Sequence, residues 1–418
     1  MGKIILIFVI LIGIQAVYSF LFPIYDIDNP YWKSIQELGS TEGHSFGSFD
    51  GQIVEKIYPL ISDYRVNGDA GGMILLARDF PQYYFEGHFA FIDRPLYAFL
   101  VFLTARPISL ISDSYSVIFA AGIFLNFIIF FSTVFLFYLL VKKIISSRVA
   151  FLSSVLLIFS PFAHIWLVQP ETNIFGAFSV ILSLYLLYNY AVSPSTRKLI
   201  IFSLIIGLLM LGKMLFFISS FILILAVLFR RFKEGILFLA VHLTPLVFWY
   251  FLVNKVFGFN NYLQDNISLN MYLAENWLIN IFQWPWHRTF KIFLDALPKF
   301  ISSAFYGFLA LPVIFAVLGF RKLSLVKKNL FCLGFIFSFF ALIFAMNYYS
   351  PRHIFLLFPV VYPLAVLGID RVADFLRKYK KWYAVGFYLI TFTALIIISS
   401  INVLKVFPYN GSCCSWLF

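Results

Sequence analysis

SVIFAAGIFLNFIIFFSTVFLFYLLV, residues 116–141, runs for 26 positions without one charged side chain. A hydrocarbon core about 30 Å thick is crossed by about 20 apolar helical residues, so this stretch is long enough to span a bilayer. Its apolarity is continuous, whereas the strands of a membrane barrel alternate apolar and polar residues over about 10 positions. Similar runs occupy residues 4–22, 149–168, 174–192, 199–229, 236–253, 301–320, 330–346, 354–369 and 382–403. Composition agrees: 62% of the 418 residues are hydrophobic, 12% are charged, and the mean hydropathy is +0.91. Soluble domains carry about 25% charged residues, so a water-soluble fold is excluded and an all-α polytopic membrane protein is expected.

The net charge of +12 comes from short basic clusters between the apolar runs. Lys142, Lys143 and Arg148 form one; Arg197 and Lys198, Arg230 to Lys233, Arg321 to Lys328, and Arg371 to Lys381 carry the others. The positive-inside rule sends such clusters to the cytoplasm, so the charge orients the chain and implies no nucleic-acid partner. Parity then decides two segments. Residues 95–111 cannot span without exporting Lys142 and Lys143, and are expected to lie in the outer interface or to re-enter from it. Residues 199–229 would measure about 47 Å as one helix. They are expected to form a hairpin turning at Gly212-Lys213, with arms too short to cross alone. Such an apex is tolerated below the membrane surface only beside protein or a wet cavity, which predicts an outward-facing recess.

The first run follows Lys3 and lacks a small-x-small cleavage site, so it reads as an uncleaved helix with its N-terminus inside. About eleven spans result, with external interfacial helices. Three regions are expected: a core over residues 1–253 that includes the external loop 23–115, an external loop at 254–300, and C-terminal membrane helices at 301–418. Cys332, Cys413 and Cys414 show no metal-ligand spacing. His88, His164, His287 and His353 form no compact ligand motif, so no cofactor is expected; a divalent metal stays open but is not indicated. No internal repeat is visible.

Loop 23–115 holds Asp50, in FDGQ, and Asp69, which precedes an amphipathic stretch at 73–80. Asp69 reads either as the N-cap of a helix there or as a catalytic carboxylate. The sequence GDAGGMILLARDF, residues 68–80, followed by RPLYAFL from Arg94, resembles the first external loop of the GT-C membrane glycosyltransferases. The protein O-mannosyltransferase and lipid A aminoarabinose transferase group is the nearest in pattern, and Asp69, Ala77, Arg78, Arg94, Pro95, Leu96 and Tyr97 match it. Glu171 in QPETN, Gly212-Lys213, and Arg352 in SPRHIFLLFPVVYP are also similar to that group. Arg94 matches in charge but departs in identity, since the group carries Lys there, and Ala70 departs where the group carries an acidic residue.

The resemblance implies a GT-C-like fold and transfer of a sugar from a polyprenyl-phosphate donor to a cell-surface glycan or glycolipid acceptor, usually with inversion. It implies an integral protein of a prokaryotic inner membrane, surrounded by membrane lipids, with its active site outside or in the periplasm. The large soluble C-terminal domain of some relatives has no counterpart here, which points to a compact or glycan-modifying enzyme. Asp69 is the expected base, with Asp50 as the alternative, and Glu171 is a second acidic site residue. Arg94, Lys213 and Arg352 are expected on the donor phosphate; Arg78, Tyr97 and His353 on the acceptor or in positioning. Bland readings stand beside these: Arg94 and Lys213 can snorkel to headgroups, Arg352 can cap a loop, and Glu171 can complement a helix dipole. A transporter or lipid flippase, and a glycan polymerase or ligase using a lipid diphosphate donor, are the competing functions.

Overall fold

The computed structural model describes residues 2–21, 68–82, 95–109, 114–213, 231–258, 310–324 and 355–406. Among them lie twelve helices and no strand. In chain order these are α1 (Gly2–Leu21), α2 (Gly68–Arg78), α3 (Pro95–Ser109), α4 (Tyr115–Ile144), α5 (Ser147–Ile158) and α6 (Pro161–Trp166). There follow α7 (Thr172–Val192), α8 (Thr196–Met210), α9 (Phe232–Lys255), α10 (Ala310–Phe320), α11 (Phe358–Arg377) and α12 (Lys381–Val406). Five helices are long and apolar enough to cross a membrane: α1, α4, α7, α9, and α11 with the turn before it. Helix α5 and the Lys381–Ile397 part of α12 are shorter apolar helices. The structure therefore shows an all-helical chain with five membrane-length helices among the described residues. The spans expected over 213–229 and 330–346 lie outside them.

Four local expectations can be compared with the structure. Residues 149–168 do not form one helix, because Pro161 has no N–H to continue α5 and opens α6 instead. Ser160 bridges the break: its hydroxyl donates to Leu157 O at 2.7 Å and accepts from the Ala163 N–H at 3.2 Å. Helix α2 begins at Gly68, five residues before the expected stretch, so Asp69 is a first-turn residue and not the cap. Helix α8 ends at Met210 and the chain turns through 211–213, as the hairpin requires; the second arm lies outside the described residues. Helix α3, at 15 residues, is about 22 Å long, short of a full crossing.

The chain divides into two compact units. One comprises residues 1–21, 131–165 and 274–409; the other comprises 22–130, 166–273 and 410–418. In the first unit α10 and α11 cross closely, with a Cβ on Gly319 falling 1.9 Å from Leu364 O and one on Gly368 falling 1.9 Å from Phe315 O. Only hydrogen fits at either position. At one end of that unit Arg148 meets Asp370 at 3.2 Å and donates to the Tyr388 hydroxyl at 2.6 Å, and Lys322 and Arg377 meet Asp374 at 2.7 and 3.3 Å. Residues of three basic clusters, Arg148, Lys322 and Arg377, are thus paired with acidic residues of α11. Near α6, His164 Nδ1 lies 3.3 Å from Gln15 Nε2 and 3.2 Å from Ser19 Oγ, a buried polar join between α1 and α6.

In the second unit α8 packs on α9, where a Cβ on Gly207 would fall 2.2 Å from His242 O. Helix α7 packs on α8, and α2 on α3. Phe80 sits against the rings of Phe99 and Phe102 on α3, at 5.4 and 5.6 Å between centroids.

Candidate active site

The second unit gathers the starts of α3 and α7 and the end of α8. The Leu96 N–H, in the first turn of α3, donates to Leu211 O at 3.0 Å. The next residue along, Gly212, lies under the Phe175 ring of α7: a Cβ there would fall 2.1 Å from Phe175 Cε1. A glycine is required for this close approach, and the approach presents Lys213 to the start of α7.

Lys213 Nζ donates to Asn173 Oδ1, and Asn173 Nδ2 donates to Glu171 Oε1. All three side chains are buried, at 5%, 1% and 2% exposure. An ammonium or carboxylate is retained in so dry a setting only where it is paired and hydrogen-bonded. The Asn173 amide has a fixed sense here, its oxygen toward the cation and its nitrogen toward the carboxylate. Glu171 occupies the N-cap position of α7 but caps no backbone N–H with its side chain. Its carboxylate instead belongs to the Lys213 network, while the positive end of the α7 dipole still favours an anion there.

Tyr97 is fully buried and donates its hydroxyl to Asn126 Oδ1 at 2.8 Å. Burial, and then the negative charge of Glu171, push its phenol well above the ordinary value, so the hydroxyl keeps its proton and remains a donor. Asn126 Nδ2 in turn reaches Trp166 O at 3.3 Å and Gln169 O at 2.6 Å. Arg78, in the last turn of α2, lies over the Tyr115 ring at 4.3 Å and beside Asp79 at 3.7 Å.

Glu171, Lys213 and Tyr97, drawn from three distant stretches of sequence, therefore stand in one connected setting. Arg78 is held by Tyr115 and Asp79. Asp69 lies in the first turn of α2, and its side chain falls outside the described residues, as do Asp50, Arg94, Arg352 and His353. Sequence reasoning missed Asn173 and Asn126. Asn173 was visible two residues beyond Glu171 in QPETN, and Asn126 as an amide inside an apolar run. Among the described residues, no three His, Cys, Asp or Glu side chains are grouped to hold a metal ion.

The family model for dolichyl-phosphate-mannose-protein mannosyltransferase matches residues 94–253, the stretch that contains Tyr97, Glu171, Asn173 and Lys213. No curated protein matches the chain. Among solved structures, the Archaeoglobus fulgidus oligosaccharyltransferase in complex with Zn and sulfate is 16% identical, with a TM-score of 0.53. The likeness covers 94% of this chain and 53% of that one. The archaeal oligosaccharyltransferase from the same organism in complex with an inhibitory peptide and a dolichol-phosphate is 14% identical, with a TM-score of 0.51, over 95% of this chain and 55% of that one. The chain spans about half the length of the solved proteins it matches, and the likeness shows a shared fold.

Proposed function

We propose, from a chain of GT-C fold whose residues 94–253 match the mannosyltransferase family model, that this protein is a membrane glycosyltransferase using a polyprenyl-phosphate-linked sugar. The acceptor is a cell-surface glycan or glycolipid, and transfer occurs on the extracytoplasmic face of a prokaryotic inner membrane. The observation that carries this reading is the buried Lys213, joined through Asn173 to Glu171 at the start of α7.

The chemistry follows from what a phosphate leaving group needs. An acceptor hydroxyl attacks the anomeric carbon as the bond from that carbon to the phosphate oxygen breaks, and the electron pair leaves with the lipid phosphate. One displacement inverts the anomeric centre. The acceptor proton passes to a carboxylate, for which Asp69 is the choice and Asp50 the alternative. The developing phosphate charge is met by fixed cations in a water-poor setting, where they act more strongly than in water. Lys213 supplies one such charge; Arg94 and Arg352 are the proposed partners, with the bidentate geometry guanidinium offers to phosphate. Arg78, Tyr97 and His353 contact or position the acceptor.

A metal is not needed for this scheme. The Asn173 oxygen that a cation would take already receives the Lys213 ammonium, whose charge opposes a second cation beside Glu171. The test is sugar transfer in proteoliposomes given a panel of polyprenyl-phosphate sugars and extracted cell-surface glycolipid. Asp69→Asn and Lys213→Met, each shown to be inserted and folded, are expected to lose transfer. Normal transfer by Asp69→Asn, Asp50→Asn and their double variant would refute the base assignment and the reading with it.

A further inference from the structure

We infer that Asn126 is a positioning residue of the transfer site, holding the chain segment that delivers Glu171 and Asn173. The role in catalysis rests on the transfer reading above; the anchoring of the segment does not.

Asn126 lies within α4, one of the five membrane-length helices, and its side chain is completely buried. An amide in that setting is costly unless its donors and acceptor are all satisfied. Here the acceptor oxygen takes the Tyr97 hydroxyl, and the NH2 group donates to Trp166 O and Gln169 O. Trp166 ends α6 and Thr172 begins α7, so the backbone between them is not helical. Carbonyls at a helix end lose their intrahelical donors, and irregular backbone at membrane depth must find donors from protein or water. Trp166 O and Gln169 O each take one local backbone N–H, from Gln169 at 3.3 Å and from Glu171 at 2.7 Å, and Asn126 supplies both with a second donor that ties this non-helical segment to α4. The residues that follow are Glu171 and Asn173.

Helix α4 grips the same segment at a second point. Gly122 stands one turn before Asn126 on the same face, and a Cβ there would fall 2.6 Å from Pro170 Cβ. A residue with no side chain admits Pro170, and four positions on an amide binds the carbonyl of Gln169. Tyr97 then ties this grip to α3, whose first turn is bonded to Leu211 beside the Lys213 turn. The acid and amide of α7 and the cation after α8 are thereby referred to one frame, in which Asn126 is the shared node.

The experiment uses the full chain in nanodiscs, with Asn126→Ala, Asn126→Ser and Tyr97→Phe. Two readouts are taken: amide hydrogen exchange of peptides covering 166–173, and transfer to extracted glycolipid from whichever donor of the polyprenyl-phosphate-sugar panel, dolichyl-phosphate-mannose included, the wild-type protein uses fastest. Exchange over 166–173 is expected to rise about tenfold in Asn126→Ala, with α9 peptides unchanged. The kcat per folded molecule is expected to fall about 30-fold, because misplacement of site groups by about 1 Å costs up to about 100-fold in rate. KM for the donor changes less, and Asn126→Ser, which keeps one donor, lies between. Combining Tyr97→Phe with Asn126→Ala adds little to Asn126→Ala alone, since the two share one bond.

Unchanged exchange at 166–173 in Asn126→Ala overturns the inference. So does raised exchange with undiminished kcat per folded molecule, which would make Asn126 a packing residue only. If Asn126→Ala does not fold, Tyr97→Phe carries the same two criteria with smaller effects. If the wild-type protein transfers from no polyprenyl-phosphate sugar, the functional reading fails, and the exchange result alone decides whether Asn126 anchors the segment.

Discussion

Replacing Lys213 by Met keeps most of the apolar stem and removes the terminal ammonium, with its charge and its hydrogen bond to Asn173. Glu171 and Asn173 are then left 2% and 1% exposed, with the ammonium gone from the Asn173 oxygen. Removing one member of a buried charge pair costs about 3 to 5 kcal/mol, because the other charge stays behind unpaired. The lower end applies, since Asn173 stands between the two charges, so a loss of about 3 kcal/mol is expected. Glu171→Gln leaves the ammonium bonded to the Asn173 amide and weakens the hydrogen bond between Asn173 and residue 171, which should cost about 2 kcal/mol. The double variant buries no charge and should cost about 3 kcal/mol, not the sum, a coupling of about 2 kcal/mol. Equilibrium unfolding of the purified protein in mixed micelles, titrated with denaturing detergent, measures all four proteins. Losses in the double variant that equal the sum of the singles would refute the network. Sugar transfer should be absent from both Lys213→Met proteins, while Glu171→Gln adds no further loss of stability once Lys213 is already Met.

Gly212→Ala drives a methyl into the Phe175 ring, which must move; overpacking of this kind costs about 1 to 3 kcal/mol, and transfer should fall further than stability because Lys213 moves with the turn. Gly368→Val meets the Phe315 carbonyl at 1.9 Å, where backbone cannot yield as a side chain can, so the α10–α11 crossing should open and the protein fail to accumulate, read by membrane-fraction yield. Arg148→Ala removes an ion pair whose Arg side chain is 56% exposed; solvent screening limits the loss to about 1 kcal/mol or less, with transfer unchanged. Ser160→Ala removes the side-chain cap across the α5–α6 break and should cost about 1 kcal/mol in the same detergent titration.

The legible part of the site came from two kinds of signal. Lys213 stood out because parity forced residues 199–229 to turn, and a cation at the turn of two short arms needs a reason. Glu171 and Tyr97 stood out through the resemblance of their flanking residues to a known family. Asn173 and Asn126 carried no such signal, since an amide is informative only through the groups it meets. Those groups lie 40 and 43 positions away, at Lys213 and Gln169. Helix α2 was expected at 73–80 and starts at Gly68 because its beginning is made of Ala70, Gly71 and Gly72, which are buried but too small to carry a hydropathy pattern.

Hydropathy is a local property, and a run of apolar side chains can satisfy its backbone in lipid only as helix; for that reason the residue order alone pointed to an all-helical membrane chain. Which side chains share a dry space depends on how helices pack, and packing is set by contacts distant in sequence, such as Gly212 beneath Phe175 and Pro170 against Gly122. Only the tertiary structure could therefore decide that Lys213, Asn173 and Glu171 form one chain of hydrogen bonds, and that an amide inside α4 holds the backbone that carries two of them.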